Sequence, residues 1–197
     1  IASLRHAHNK RLPRSKGKDR RGQIPGMLSI HVRPPEIEDR QFPGHWEEDL
    51  IKGEGNASAV GTLVERTSRL VMLVKLPEFK PASAANVLQA FTDKLLGIAQ
   101  PMRLSMTKTQ GREMSRHKRL SEQPGIAVYF CDPHSPWQRG SNENMNGLVR
   151  RYLPKGAGLS IYSQEQLDAI ADEINNRPRK GLGGGYDRHW RSTANCS

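Results

Sequence analysis

Two carboxylates in this chain have the type and setting for phosphodiester chemistry. Asp49 stands inside the run "HWEEDLIKG", between Trp46 and Leu50, where a charge in an otherwise buried-looking strand needs a partner or a purpose. Glu143 lies at the head of "SNENMNGLVRRYL", after the loop "DPHSPWQRG", in what should be the first turn of a helix. Brought together at a sheet edge, two acids can hold Mg²⁺, which takes oxygen ligands and keeps positions open for phosphate and water. Two such ions about 4 Å apart clamp the attacking and leaving oxygens of a phosphodiester. Spacing alone leaves a second reading open, in which Glu143 only complements the helix dipole and Asp49 is a paired interior charge.

The residues around Glu143 add donors. Trp137, Gln138, Arg139, Asn142, Asn144 and Asn146 combine one aromatic with several polar groups at a helix N-terminus, a set suited to phosphate and base contact. The alternative is that Trp137 packs and the asparagines cap. Arg150, Arg151 and Lys155 continue the positive charge, as do Arg177, Arg179 and Lys180 after the last helix. Cys131 and His134 have no second pair of ligands nearby, so a strand-end cysteine beside a loop histidine is the better reading than zinc. His45, next to Trp46, reads as structural.

Positioning these groups requires a folded domain, and 197 residues with 35% hydrophobic content suffice for one core. Lys and Arg outnumber Asp and Glu 31 to 20, a formal charge of +11 that favours a polyanionic partner, nucleic acid first and an anionic membrane surface second. No apolar run approaches the roughly 20 residues of a membrane span. Two distant cysteines and a basic N-terminus without an apolar stretch fit a reducing cytoplasm.

Residues 1–43 read as a basic arm: the first 25 carry eight Lys or Arg against one acid, and "PPEIEDRQFP" closes it. Three short runs, "HWEEDLIKG", "SAVGTLVERTS" and "RLVMLVKLP", predict a three-strand meander. Ala84, Leu88, Phe91, Leu95 and Ile98 predict an amphipathic helix over 83–99 with Ser83 as N-cap. "MRLSMTKT" and "IAVYFC" supply a fourth and a fifth strand, separated by a short polar helix in "REMSRHKRLSEQ". Met145, Leu148, Val149 and Tyr152 share a helical face, and "SQEQLDAIADEINNRP" opens with a capping box, Ser163 and Gln166, and stops at Pro178. The sum is an α/β domain over 44–180, a five-stranded mixed sheet flanked by helices, followed by a glycine-rich tail over 181–197 read as disordered.

The blocks "GHWEEDLIKGEGNASAVGTLVERTSRLVMLVKL", "QGREMSRH", "YFCDPHSPWQRGSNENMNGLVRRYLPKG" and "NNRPRKGLG" resemble, in this order, the catalytic half of insertion-sequence-thirty family transposases, from about residue 18 to 183. That family is of the DDE class, so the resemblance implies an RNase H-like integrase core that cleaves and joins DNA at element ends with two Mg²⁺ ions. It implies catalytic roles for Asp49 and Glu143, and makes position 109 the second aspartate, with thirty-three residues between it and Glu143. Here the residue is Thr109, a neutral and weak ligand where an aspartate would supply charge and bridge two ions.

The expectation is a transposase core whose chemistry is impaired, with Asp49 and Glu143 as the remaining metal ligands. Glu113 and Asp132 are the nearest substitute acids; Glu113 would lie on the following helix, and Asp132 reads as a loop residue near the site. Expected partners are DNA, at element ends and target, and further copies of the chain in a nucleoid-associated DNA complex, with no membrane. The competing reading is a non-catalytic DNA-binding or interfering fragment. A first residue Ile1 and a divergent end after Gly183 suggest truncation, and decay to no selected function is a third reading.

Overall fold

In the computed structural model, which describes residues 26–76, 84–109 and 125–177, the apolar runs become one sheet and three helices. The strands are β1 (Leu28–Ser29), β2 (His45–Lys52), β3 (Ala59–Glu65), β4 (Val71–Lys75), β5 (Ser105–Lys108) and β6 (Ala127–Phe130). The helices are α1 (Ala84–Leu96), α2 (Gly140–Val149) and α3 (Gln164–Asn175). The spatial strand order is β1-β6-β5-β2-β3-β4. Strands β2, β3 and β4 form the expected antiparallel meander, while β5 joins β2, β6 joins β5 and β1 joins β6 in parallel.

The sheet has six strands where the sequence predicts five. The addition, β1, is two residues long and sits in the basic segment, where Leu28 and Ser29 pair with Tyr129 and Phe130. Two residues cannot show a period of two, so hydrophobic patterning had nothing to report. The polar helix expected in 112–123, most of the basic arm and the tail over 181–197 lie outside the described residues.

Alternation along the strands gives the sheet two apolar faces. On one, Trp46, Leu63, Val74, Met106, Val128 and Phe130 pack against Val87, Leu88, Phe91 and Leu95 of α1. On the other, Ile51, Val60, Val64 and Leu73 meet Met145 and Val149 of α2 and Leu167, Ala171 and Ile174 of α3. Helix α1 ends at Leu96, and Ile98 stays in the same core from the turn beyond it. Gly61 is where α1 comes closest: a Cβ there would stand 2.5 Å from Phe91 Cζ. Gly61→Ala is expected to cost about 1–3 kcal/mol by overpacking, measurable as a lowered midpoint in denaturant with unchanged slope.

The capping box of α3 is present, with Ser163 Oγ accepting from the Gln166 N–H and Gln166 Oε1 from the Ser163 N–H. The same helix finishes the outer edge of the sheet. Gln164 Nε2 donates to Leu73 O and its Oε1 accepts from Lys75 N–H, while Asn175 Oδ1 and Nδ2 bond the N–H and C=O of Val71. Backbone groups of β4 that an edge strand would leave unpaired are thus satisfied by side chains.

Candidate active site

Sheet register relates Asp49 to Thr109. In the parallel β2·β5 pair, His45 faces Ser105, Trp46 faces Met106 and Glu47 faces Thr107. The pairing ends there; carried two steps further, the same register would bring Thr109, just past the end of β5, level with Asp49. Odd-numbered residues of both strands point to the α2 side, since Ile51 belongs to the α2/α3 core and Trp46 and Met106 to the α1 core. Thr109 is exposed, with no hydrogen bond or ion pair among the described residues.

Helix α2 brings Glu143. Arg139, in the turn leading into α2, places Nη1 3.1 Å from Asp49 Oδ1, and Asn146 Nδ2 donates to Asp49 Oδ2 at 3.1 Å. Glu143 and Asn146 are three residues apart within α2 and so lie on one face of it, while Arg139 reaches Asp49 from the N-cap position before the helix. Glu143 therefore lies on the face of α2 from which Asn146 reaches Asp49. It is exposed and unpaired among the described residues.

The junction between β2 and α2 depends on a residue that sequence reasoning passed over. Glu47, fully buried, accepts the Asn142 backbone N–H at 2.8 Å through Oε2 and Arg66 Nη1 at 3.0 Å through Oε1. It neutralises an unpaired N–H in the first turn of α2, where a carboxylate also meets the favourable end of the helix dipole. Asn142, read as a DNA contact, is itself in the interior at 0% exposure. Its Nδ2 donates to Glu47 O and its Oδ1 accepts from Thr62 Oγ1. The readable signal for Glu47 was its position two residues before Asp49, on the same strand face.

Immediately behind the site, on the α1 side, Lys108 Nζ lies 2.6 Å from Glu48 Oε2, both side chains almost fully buried. Burial raises the Glu48 carboxyl above its ordinary value while Lys108 pulls it down, and burial is the larger influence. Arg139 adds a bond from Nη1 to Glu48 O at 2.9 Å, tying the α2 entry to the same strand.

The other predicted residues fall around this centre. Trp137 is 72% exposed on the loop before α2. Gln138 donates to Asp132 Oδ2 and accepts from the Asp132 N–H; with the His31 imidazole at 2.8 Å this holds the Asp132 carboxyl below its usual range, Gln138 being the larger cause. Arg150 donates to the carbonyls of Lys52 and Leu153, whereas Arg151 and Lys155 are exposed. His45 Nδ1 lies 2.7 Å from Ser105 Oγ, and burial lowers its pKa. Cys131 is buried and its thiol is pushed up to about 11 by that burial. Among the described residues no three Asp, Glu, His or Cys side chains converge as a metal cluster, and no helix is long and apolar enough to cross a membrane.

A mixed sheet of this order with helices on both faces is the RNase H-like fold of integrase catalytic cores. The chain is similar to the catalytic core domain of BIV integrase, with a TM-score of 0.51 and 20% identity over 73% of this chain and 90% of that one. It is also similar to a chain of the simian T-cell lymphotropic virus intasome in complex with PP2A regulatory subunit B56 gamma, at a TM-score of 0.56 and 14% identity, covering 79% and 55% of the two chains. At these identities the likeness shows the fold.

The sequence relatives go further. The chain is 66% identical over 182 residues to the transposase for insertion sequence element IS1086 of Cupriavidus metallidurans, covering 92% of this chain and 53% of the relative. It is 44% identical over 185 residues to transposase InsI for insertion sequence element IS30A of Escherichia coli K12, covering 92% and 47%. No family model matches the chain. The chain is a homologue of the IS30-type transposases and spans about half the length of these relatives.

Proposed function

We propose that residues 44–180 are the catalytic core of a DNA transposase, cutting and joining strands at insertion-sequence ends, and that Thr109 leaves this copy impaired. The observation that supports the reading is the pair of bonds by which Arg139 and Asn146 tie Asp49 to α2, the helix that carries Glu143, beside a β2·β5 register that runs toward position 109. Transposase and integrase relatives suggest a divalent metal. The residues present fit a two-ion centre poorly. They offer two carboxylates and a hydroxyl, and both oxygens of Asp49 are already engaged by Arg139 and Asn146.

What this chain's own groups do is orient. Glu47 locks α2 onto β2, and Asn146 and Arg139 fix the Asp49 carboxylate toward the helix that carries Glu143. Arg139, expected from the sequence to face DNA, is buried and spends its Nη1 on Glu48 O and Asp49, so its role here is to hold the carboxylate. Arg151 and Lys155, exposed beyond α2, and Arg150, Gln138 and Trp137 extend the DNA-facing surface. The basic segment over 1–43, whose described end docks on the sheet, supplies charge for the DNA backbone. The working form is an oligomer on DNA, associated with the nucleoid.

A second reading is favoured by the neutral, exposed Thr109: a non-catalytic DNA-binding fragment that occupies element ends or joins and blocks an active transposase. One experiment separates them. Labelled duplex is titrated with the chain across a salt series, then incubated with Mg²⁺ or Mn²⁺. Strongly salt-dependent binding without nicking is expected. Metal-dependent nicking and joining abolished by Asp49→Ala would overturn the impairment, and no binding at low salt would sink the DNA reading itself.

A further inference from the structure

The face that carries Asp49 continues into a cavity of about 300 Å³ between the segment after β1 and the loop before α2. That is the lower end of the range for small-molecule sites. Its wall holds Arg33, Arg40 and Arg66 against a single acid, Glu38, and Trp137 stands at its rim. The Arg33 and Arg66 side chains are only 2% and 3% exposed, a costly placement for two like charges unless anions meet them.

Within the described residues the two buried arginines meet two carboxylates, Glu38 and Glu47, and Arg40 meets none. One carboxylate, Glu38, is shared: Oε1 takes Arg33 Nη2 and Oε2 takes Arg66 Nη2 at 3.1 Å. Arg33 Nη1 donates to Thr107 Oγ1, and Arg66 Nη1 to Glu47. The Nε atoms of both arginines are buried without a partner. Arg40, held at φ 52°, is exposed and makes no hydrogen bond or ion pair among the described residues. A two-oxygen anion bridging two guanidiniums is the arrangement a phosphodiester also adopts. Beside it, Trp137 presents a largely exposed indole.

We infer that this cavity receives one unstacked nucleotide of the DNA substrate, its base on Trp137 and its phosphate on Arg40, in the positive field of the buried Arg33 and Arg66. The inference rests on the DNA reading above and adds where a strand goes on leaving the Asp49 site. Glu47, which anchors Arg66, precedes Asp49 by two residues on the same strand face, roughly 7 Å away. The cavity is therefore placed for a nucleotide next to the reacting phosphate. It is larger than a phosphate alone requires, and the face of a base paired and stacked in a duplex is not available to an indole.

The test compares a mixed-sequence duplex with blunt ends, the same duplex with a short unpaired overhang, and one whose overhang is abasic, all at one low salt concentration. The overhang is expected to tighten binding by about tenfold over the blunt duplex, and the abasic overhang to forfeit most of that gain. Trp137→Ala should remove the difference between normal and abasic overhangs, and Arg40→Ala should diminish the gain from both. Both side chains are exposed, so the fold does not depend on them. Equal affinity for blunt and overhang duplexes, or a gain indifferent to both substitutions, overturns the cavity as a nucleotide site and leaves the DNA reading standing. Binding of no duplex at all overturns both.

Discussion

Thr109→Asp is expected to raise Mg²⁺-dependent nicking of duplex DNA by on the order of 10³-fold, the scale associated with one preorganised electrostatic group at a reacting centre. The β2·β5 register, carried two residues past its last pair, would bring position 109 beside Asp49, and its exposure means a new carboxylate enters without a buried-charge penalty. The substitution would give the site a third acid, so metal affinity should rise along with rate. Calorimetric titration of Mg²⁺ into both proteins reads the first quantity and nicking of labelled duplex the second. Tightened metal binding without nicking would place the defect elsewhere in the chain. No change in either would show that position 109 is not a ligand position. Asp49→Ala introduced into Thr109→Asp should return nicking to background.

The second large effect concerns stability. Lys108→Met removes one partner of a buried ion pair and should cost about 3–5 kcal/mol at neutral pH, roughly 6–20 °C in Tm for a domain of this size. The pH dependence carries the mechanism. Glu48 already has a raised pKa through burial, and losing Lys108 removes the opposing pull. A carboxyl whose folded pKa is raised stabilises the fold below its unfolded value and loses that contribution as pH rises through the folded pKa. The deficit of Lys108→Met should accordingly be full at neutral pH and shrink on acidification as Glu48 takes a proton. Thermal unfolding at a series of pH values checks this, and a deficit independent of pH would show that lost packing, not charge, is responsible. Replacing both residues by apolar ones of similar size should recover most of the stability.

The strand meander, the α1 face and the α3 capping box were legible because each expresses a period or a cap with a local cause. Leu63, Val74 and Phe91 are buried as alternation and helical spacing require. The short strand β1 was not legible, since its pairing with β6 across a hundred residues leaves no local mark. At the site, Asp49 and Glu143 stood out as acids in places acids rarely occupy, but their assignment came from resemblance. Glu47, Glu48, Arg33, Arg66 and Lys108 were missed for a shared reason: a charge is read as exposed unless its partner is known, and these partners lie on other elements. Asn142 shows the converse. Among three asparagines at alternate positions, only geometry shows that this one serves the interior.

The two amides of α3 that finish β4 have a consequence for assembly. Gln164 and Asn175 are eleven residues apart, about 16 Å along a helix, close to the span of the strand they serve. They act as a ruler laid along the sheet, its marks being carboxamides that imitate a neighbouring backbone. A strand from another copy arriving there would have to evict side chains from bonds already made. The sheet is therefore closed to growth on the β4 side, and the DNA-bound oligomer proposed above would have to form through other surfaces, its protomers crowding one polymer without their sheets fusing.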